Sequence, residues 1–121
     1  MEVVQLELKP TERYRDRRME VDFYSRTVWL DRVPVRLTHL EYELLLRLVC
    51  KAGEIVPRRT VIEDVWGYGP EVRSRTMDVH LRRLRVKLGS YGRYQIETVF
   101  GLGYRLQPLT TEPLLARAAG A

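Results

Sequence analysis

Nine basic side chains crowd residues 57–93, opposed by four acidic ones, and the chemistry open to such a stretch is capture of a polyanion. They are Arg58, Arg59, Arg73, Arg75, Arg82, Arg83, Arg85, Lys87 and Arg93, against Glu63, Asp64, Glu71 and Asp78. Residues 1–56 carry ten of each sign and residues 94–121 two of each, so the whole formal charge of +5 falls in this one stretch. A guanidinium fork matches the paired acceptors of a guanine edge or two phosphate oxygens. Composition alone leaves a second reading open, a merely solvated helix face.

The pattern from Arg75 to Leu88 narrows the choice. On a helical wheel Met77, Leu81, Leu84 and Leu88, spaced four, three and four apart, form a single apolar stripe that predicts a buried face. The opposite side presents Arg75, Thr76, Val79, Arg82, Arg83 and Val86, with His80 and Lys87 at its margin. Asp78 lies to the side, where the spacing predicts a pair with Arg82. Exposed valine is a poor helix former, but in a major groove Val79 and Val86 could pack on thymine methyl groups. Thr76 falls in the first turn, where helix amides favour phosphate. The alternative is that both valines pack on another part of the chain.

Other chemistry finds little support. The two histidines, His39 and His80, are forty-one residues apart, and no cysteine or carboxylate arrangement around them has metal-ligand spacing. Gly101-Leu102-Gly103 reads as a hairpin turn, not a phosphate loop between strand and helix. Neither enzymatic activity, nor a cofactor, nor a metal is expected. The single cysteine, Cys50, ends the apolar run Leu44–Cys50 and reads as a buried, unreactive thiol of a reduced, intracellular protein. No run of eighteen apolar residues exists, so no membrane span is expected, and Met1–Gln5 does not resemble a signal peptide.

The elements that must position the basic helix follow from local pattern. Residues 1–11 read as a linker or extra edge strand, since Val3–Leu8 alternates weakly and stops at Pro10. Residues 12–107 read as one domain. Met19–Phe23, Thr27–Leu30 and Val33–Leu37 predict an antiparallel sheet, with Asp31-Arg32 as a tight turn and Pro34 at an edge. Thr38-His39-Leu40-Glu41 has capping-box spacing and opens a first helix whose core stripe is Leu40, Leu44, Leu45 and Leu48, ending at Gly53. A second helix runs over Arg58–Trp66 with Val61, Ile62 and Val65 inward, broken by Gly67-Tyr68-Gly69-Pro70. Gly89 is expected to stop the third helix. Tyr94–Val99 and Tyr104–Leu106 predict a closing hairpin. The tail 108–121 is either a short helix or without regular structure. The expected class is α+β: a winged helix-turn-helix with an N-terminal antiparallel sheet, three helices and a C-terminal β-hairpin wing.

In this order the sequence resembles the effector domain of the OmpR/PhoB family of two-component response regulators over residues 19–106. The resemblance rests on Leu37-Thr38-His39-Leu40-Glu41-Tyr42-Glu43-Leu44-Leu45, on Val65-Trp66-Gly67-Tyr68, on the whole of Arg75–Leu88, and on Thr98-Val99-Phe100-Gly101-Leu102-Gly103-Tyr104-Arg105-Leu106. It implies a four-stranded N-terminal sheet and a cytoplasmic transcription regulator. The partner it implies is double-stranded promoter DNA, bound at direct repeats by head-to-tail pairs. It further implies base contacts from Val79 and Arg83, and backbone contacts from Arg75, Thr76, His80, Arg82, Lys87 and Thr98. Phe100, Gly101, Gly103, Tyr104 and Arg105 fall in the wing. Gly67, Tyr68, Gly69, Pro70, Glu71, Val72 and Arg73 correspond to a loop that can touch RNA polymerase in family members. Two positions depart from the family pattern: Phe100 replaces a wing arginine that reaches the minor groove, and Pro57 replaces a common capping serine. Residues 1–18 are too few for the receiver domain such regulators usually carry, so an isolated effector domain or a receiverless regulator is expected. Two rival readings remain at this point, a winged-helix protein-interaction module and a nonspecific nucleic-acid binder.

Overall fold

A computed structural model of the chain describes residues 13–67 and 74–109. The alternating segments fold into four antiparallel strands, β1 (Arg13–Arg15), β2 (Met19–Asp22), β3 (Thr27–Leu30) and β4 (Val33–Val35), hydrogen-bonded in that order. β2 and β4 stop short of the expected Phe23 and Leu37. Met19 pairs with Leu30 and Val21 with Val28, so Met19, Val21 and Val28 share the face buried against the helices. Pro34, with no amide for a ladder, lies on the edge strand β4. Asp31 and Arg32 reverse the chain with φ of 55° and 68°, the left-handed pair that a two-residue hairpin uses. Arg18 holds that turn, donating to both carboxylate oxygens of Asp31 at 3.0 and 2.8 Å, and also donates to Ser90 Oγ.

Helix α1 (His39–Val49) begins with the expected capping box: Thr38 Oγ1 accepts from the Glu41 amide, and the Glu41 carboxylate accepts from the Thr38 amide. Leu44, Leu45 and Leu48 are buried, whereas Leu40 is only half-buried and Tyr42 takes a core place. Cys50 lies one residue beyond the last buried position of α1 and is exposed, which corrects the expected buried thiol. Partial desolvation still raises its thiol pKa, outweighing the lowering by Arg47 and Lys51. The short strand β5 (Val56–Pro57) leads into α2 (Arg58–Trp66), which starts without a side-chain cap at Pro57 and buries Val61 and Ile62.

Helix α3 (Ser74–Lys87) carries the expected stripe inward, with Met77, Leu81, Leu84 and the following Leu88 all buried. Gly89 does not end the helical region. A fourth helix, α4 (Gly89–Gln95), follows at once, so four helices stand where three were expected and the next strand begins at Ile96 rather than Tyr94. Tyr91 explains it. Its buried phenol donates to Asp16, which also accepts from the Tyr14 hydroxyl and from the amides of Arg18 and Met19. One satisfied buried carboxylate thus fastens α4 to the sheet. Burial and Asp16 together push both phenols above the ordinary tyrosine pKa.

Strands β6 (Ile96–Val99) and β7 (Gly103–Leu106) form the expected hairpin, and β7 also pairs with β5, giving a second sheet in the order β5-β7-β6. The segment 1–11 and the tail beyond Leu109 lie outside the described residues, as does the loop 68–73. No helix among the described residues is long and apolar enough to cross a membrane.

Candidate nucleic-acid interface

With its apolar stripe fixed in the core, α3 must turn its opposite side to solvent. Arg75, Arg82 and Arg83 are exposed there, and none has a carboxylate partner among the described residues. Val79 is 41% and Val86 71% exposed between them, so neither valine is buried against the described residues. Thr76 is half-buried in the first turn. The structure therefore places Arg75, Val79, Arg82 and Arg83 on a single free face.

Two other expected contacts are turned toward the fold. Lys87 Nζ lies 2.7 Å from Oε1 of buried Glu41. His80 is half-buried, its ring centroid 6.0 Å from that of Trp66, with no hydrogen-bond partner at Nδ1 among the described residues. Asp78 pairs not with Arg82 but with Arg58 of α2, at 2.9 Å, and Arg58 also donates to the Tyr104 hydroxyl. A single guanidinium so joins α2, α3 and β7, a cross-element arrangement that a wheel of one helix cannot display.

The wing is bolted to α3 by Arg85, a residue the sequence reading left without a site role. Its guanidinium donates to the Ile96 carbonyl at 3.1 and 2.9 Å and to Thr98 Oγ1 at 2.9 Å. Burial lowers its pKa from the ordinary arginine value. Arg85 borders the Leu81–Leu84–Leu88 stripe on the wheel, and that position is the signal that its stem runs along the core rather than into solvent.

At the wing tip, Val99 O accepts from the Leu102 amide at 2.9 Å, closing a four-residue turn whose third residue, Gly101, has φ of 83°. A positive φ there is what a type II turn demands and glycine supplies. A Cβ on Gly103 would stand 2.1 Å from the Val56 carbonyl oxygen, so only glycine lets β7 approach β5 this closely. Tyr104 is buried in the fold, and Arg105 pairs with Glu97 across the hairpin. Of the expected wing residues, Phe100 and Gly101 remain at the exposed tip. An open cleft between α3 and the wing is lined by Arg58, Arg82, Arg85, Thr98, Phe100 and Leu102, among others. No group of His, Cys, Asp and Glu among the described residues could hold a metal ion. Of the loop 67–73, Gly67 alone is described, at the C-cap of α2.

Comparison with known proteins agrees with this geometry. A family model described as "Transcriptional regulatory protein, C terminal" matches residues 32–106. Response regulator ArlR of Staphylococcus saprophyticus is 45% identical over 85 residues, which is 69% of this chain and 39% of that protein. Response regulator DrrB of Thermotoga maritima, described as an OmpR/PhoB homologue, superposes with a TM-score of 0.74 at 27% identity, over 86% of this chain and 49% of that one. The RstA DNA-binding domain of Klebsiella pneumoniae, solved in complex with the RstA box, gives a TM-score of 0.72 at 28% identity, over 80% of this chain and 98% of that one. The chain spans well under half the length of the curated relatives it matches, 40% or less in each case compared.

Proposed function

Because the chain belongs to the transcriptional regulatory protein C-terminal family, of the OmpR/PhoB effector type, we propose that it binds double-stranded DNA sequence-specifically through α3 in the major groove. The observation that carries this reading is the outer face of α3, where arginines without carboxylate partners among the described residues flank exposed valines. Phosphate binding alone needs only charge; exposed methyl groups between guanidinium forks suit base edges. Arg83 and Val79 read bases, while Arg75, Thr76, Arg82 and Thr98 serve the backbone. His80 and Lys87 are placed less freely for DNA, through Trp66 and Glu41.

The finer features of the reading rest on the resemblance. Two copies bind head-to-tail on direct repeats in promoter DNA, within the cytoplasm. The loop 67–73, which includes Tyr68, Pro70, Glu71 and Arg73, meets RNA polymerase.

Selection of preferred duplexes from a random pool tests the proposal. It should return one motif, repeated in direct orientation, with affinity falling steeply as salt rises yet staying above that for random DNA. Equal affinity for every duplex would reduce the chain to a nonspecific binder. Absence of binding at low salt would leave a protein-interaction module.

A further inference from the structure

Phe100 is 90% exposed and Leu102 60% exposed, an apolar pair at the tip of the wing. Nothing among the described residues covers them. The tip is not loose: the Val99–Leu102 turn is hydrogen-bonded, β7 is pinned to β5, and Arg85 ties β6 to α3. Phe100 occupies the second position of that turn, so the ring is held at the outermost point of a braced hairpin.

The charge of the wing narrows what this ring meets. Residues 96–106 carry one acid and one base, Glu97 and Arg105, and these two pair with each other at 3.2 Å. The wing therefore has no net charge with which to hold phosphate. The charged wall of the adjoining cleft comes from α2 and α3: Arg58, which is paired with Asp78, together with Arg82 and Arg85. A duplex held by α3 along that cleft brings its neighbouring groove to the hairpin, and the wing then offers it a phenyl ring and a leucine. Apolar side chains that meet the minor groove press between base steps, unstack them partly and bend the duplex. Steps of pyrimidine followed by purine yield most readily.

We infer that Phe100, with Leu102 beside it, is an apolar wedge for the minor groove next to the α3 site, giving the wing a contact that releases no counterions and selects easily unstacked steps. This rests on the DNA-binding reading above.

The test uses the whole chain and the duplex returned by random-pool selection, titrated at several salt concentrations. Phe100→Ala should weaken binding about tenfold, the scale of one lost aromatic–base stack, with the slope of log K against log salt unchanged. Phe100→Arg should recover affinity at low salt only, with a slope steeper by about 0.9. 2-Aminopurine at the step beneath the wing should brighten with the parent chain and stay dim with Phe100→Ala. Parent-like affinity and fluorescence in Phe100→Ala would overturn the wedge while leaving the α3 reading intact. A parent chain with no duplex preference would overturn both. The substituted position is exposed, so an unchanged melting temperature confirms that each variant folds.

Discussion

On the four-stranded sheet, Arg13 lies against Glu20 and Asp22, Arg15 against Glu20, Arg18 against Asp31, and Arg26 against Glu43 of α1. On α3, Arg75, Arg82 and Arg83 face no carboxylate among the described residues. The two regions use the same side chain for different ends. Exposed ion pairs of the sheet kind add little stability, up to about 1 kcal/mol each, but they cancel the local field. The face of α3 leaves its field uncancelled by any described carboxylate, and under the proposed function a polyanion is the partner that cancels it. Carboxylate placement separates these four sheet arginines from those of α3, but Arg17, Arg32 and Arg36 of the sheet region also have no carboxylate partner among the described residues. What marks α3 is that its unpaired arginines share one helix face with Val79 and Val86.

The sharpest way to break this contrast is to remove the carboxylate on which the scaffold depends. Asp16→Ala strips the acceptor from the buried Tyr91 hydroxyl, the Tyr14 hydroxyl and two backbone amides. The expected cost is about 3 kcal/mol or more, a fall of roughly 12 °C in melting temperature by circular dichroism. Whatever remains folded should keep its duplex preference. A variant that melts like its parent would show that Asp16 does not clamp α4 to the sheet.

On the other side of the contrast, Arg83→Ala should leave the melting temperature alone. It should cost about 1–3 kcal/mol of binding to the selected duplex and relax preference at one base position. Arg75→Ala should weaken all duplexes alike and lower the salt slope by about 0.9, while Arg13→Ala, removing an already paired cation, should leave that slope as it is. If Arg83→Ala and Arg75→Ala lose affinity in the same uniform way, Arg83 is not a base reader. If Arg13→Ala changes the slope as Arg75→Ala does, the distinction between paired and free arginines fails.

How much of this was legible in the sequence depended on distance along the chain. The capping box at Thr38, the buried stripe of α3 and the Asp31-Arg32 turn are set by residues within a turn or two of each other, and all three were readable. The fourth helix was not. Gly89-Ser90-Tyr91-Gly92-Arg93-Tyr94-Gln95 holds two glycines and little helix propensity, and the segment is helical because Tyr91 reaches an aspartate seventy-five residues earlier. The Asp78–Arg58 pair, the Arg85 clamp and the pairing of β5 with β7 escaped for the same reason. At the candidate site, periodicity placed Arg75, Val79, Arg82 and Arg83 on their face, whereas a motif alone could not tell that Tyr104, Lys87 and His80 are engaged by the fold.

Lys87 is where the two regions meet, since it lies on α3 yet is paired as the sheet arginines are. Glu41, its partner, has a side chain only 1% exposed. Burial pushes the Glu41 carboxyl up, but the Lys87 ammonium and the Thr38 amide more than offset it, and the net pKa is below the ordinary glutamate value. A carboxyl held lower in the folded state than in the unfolded chain contributes stability above its unfolded pKa, about 4.3, and loses it as pH falls through the folded value. Glu41→Gln should therefore melt lower than the parent at neutral pH, by an amount on the order of 1 kcal/mol. The gap should begin to narrow as pH falls below the unfolded value of about 4.3 and should close only below the still lower pKa of the folded carboxyl, where the parent has lost the same charge. A gap that stays constant with pH would mean that Glu41 acts through packing and not through its charge. Lys87→Met then decides on which side the lysine falls. A lysine held by Glu41 gives a variant of lower melting temperature whose DNA binding keeps the parent salt slope. A slope lower by about 0.9 would instead place Lys87 with Arg75, as a phosphate contact that leaves Glu41 when DNA arrives.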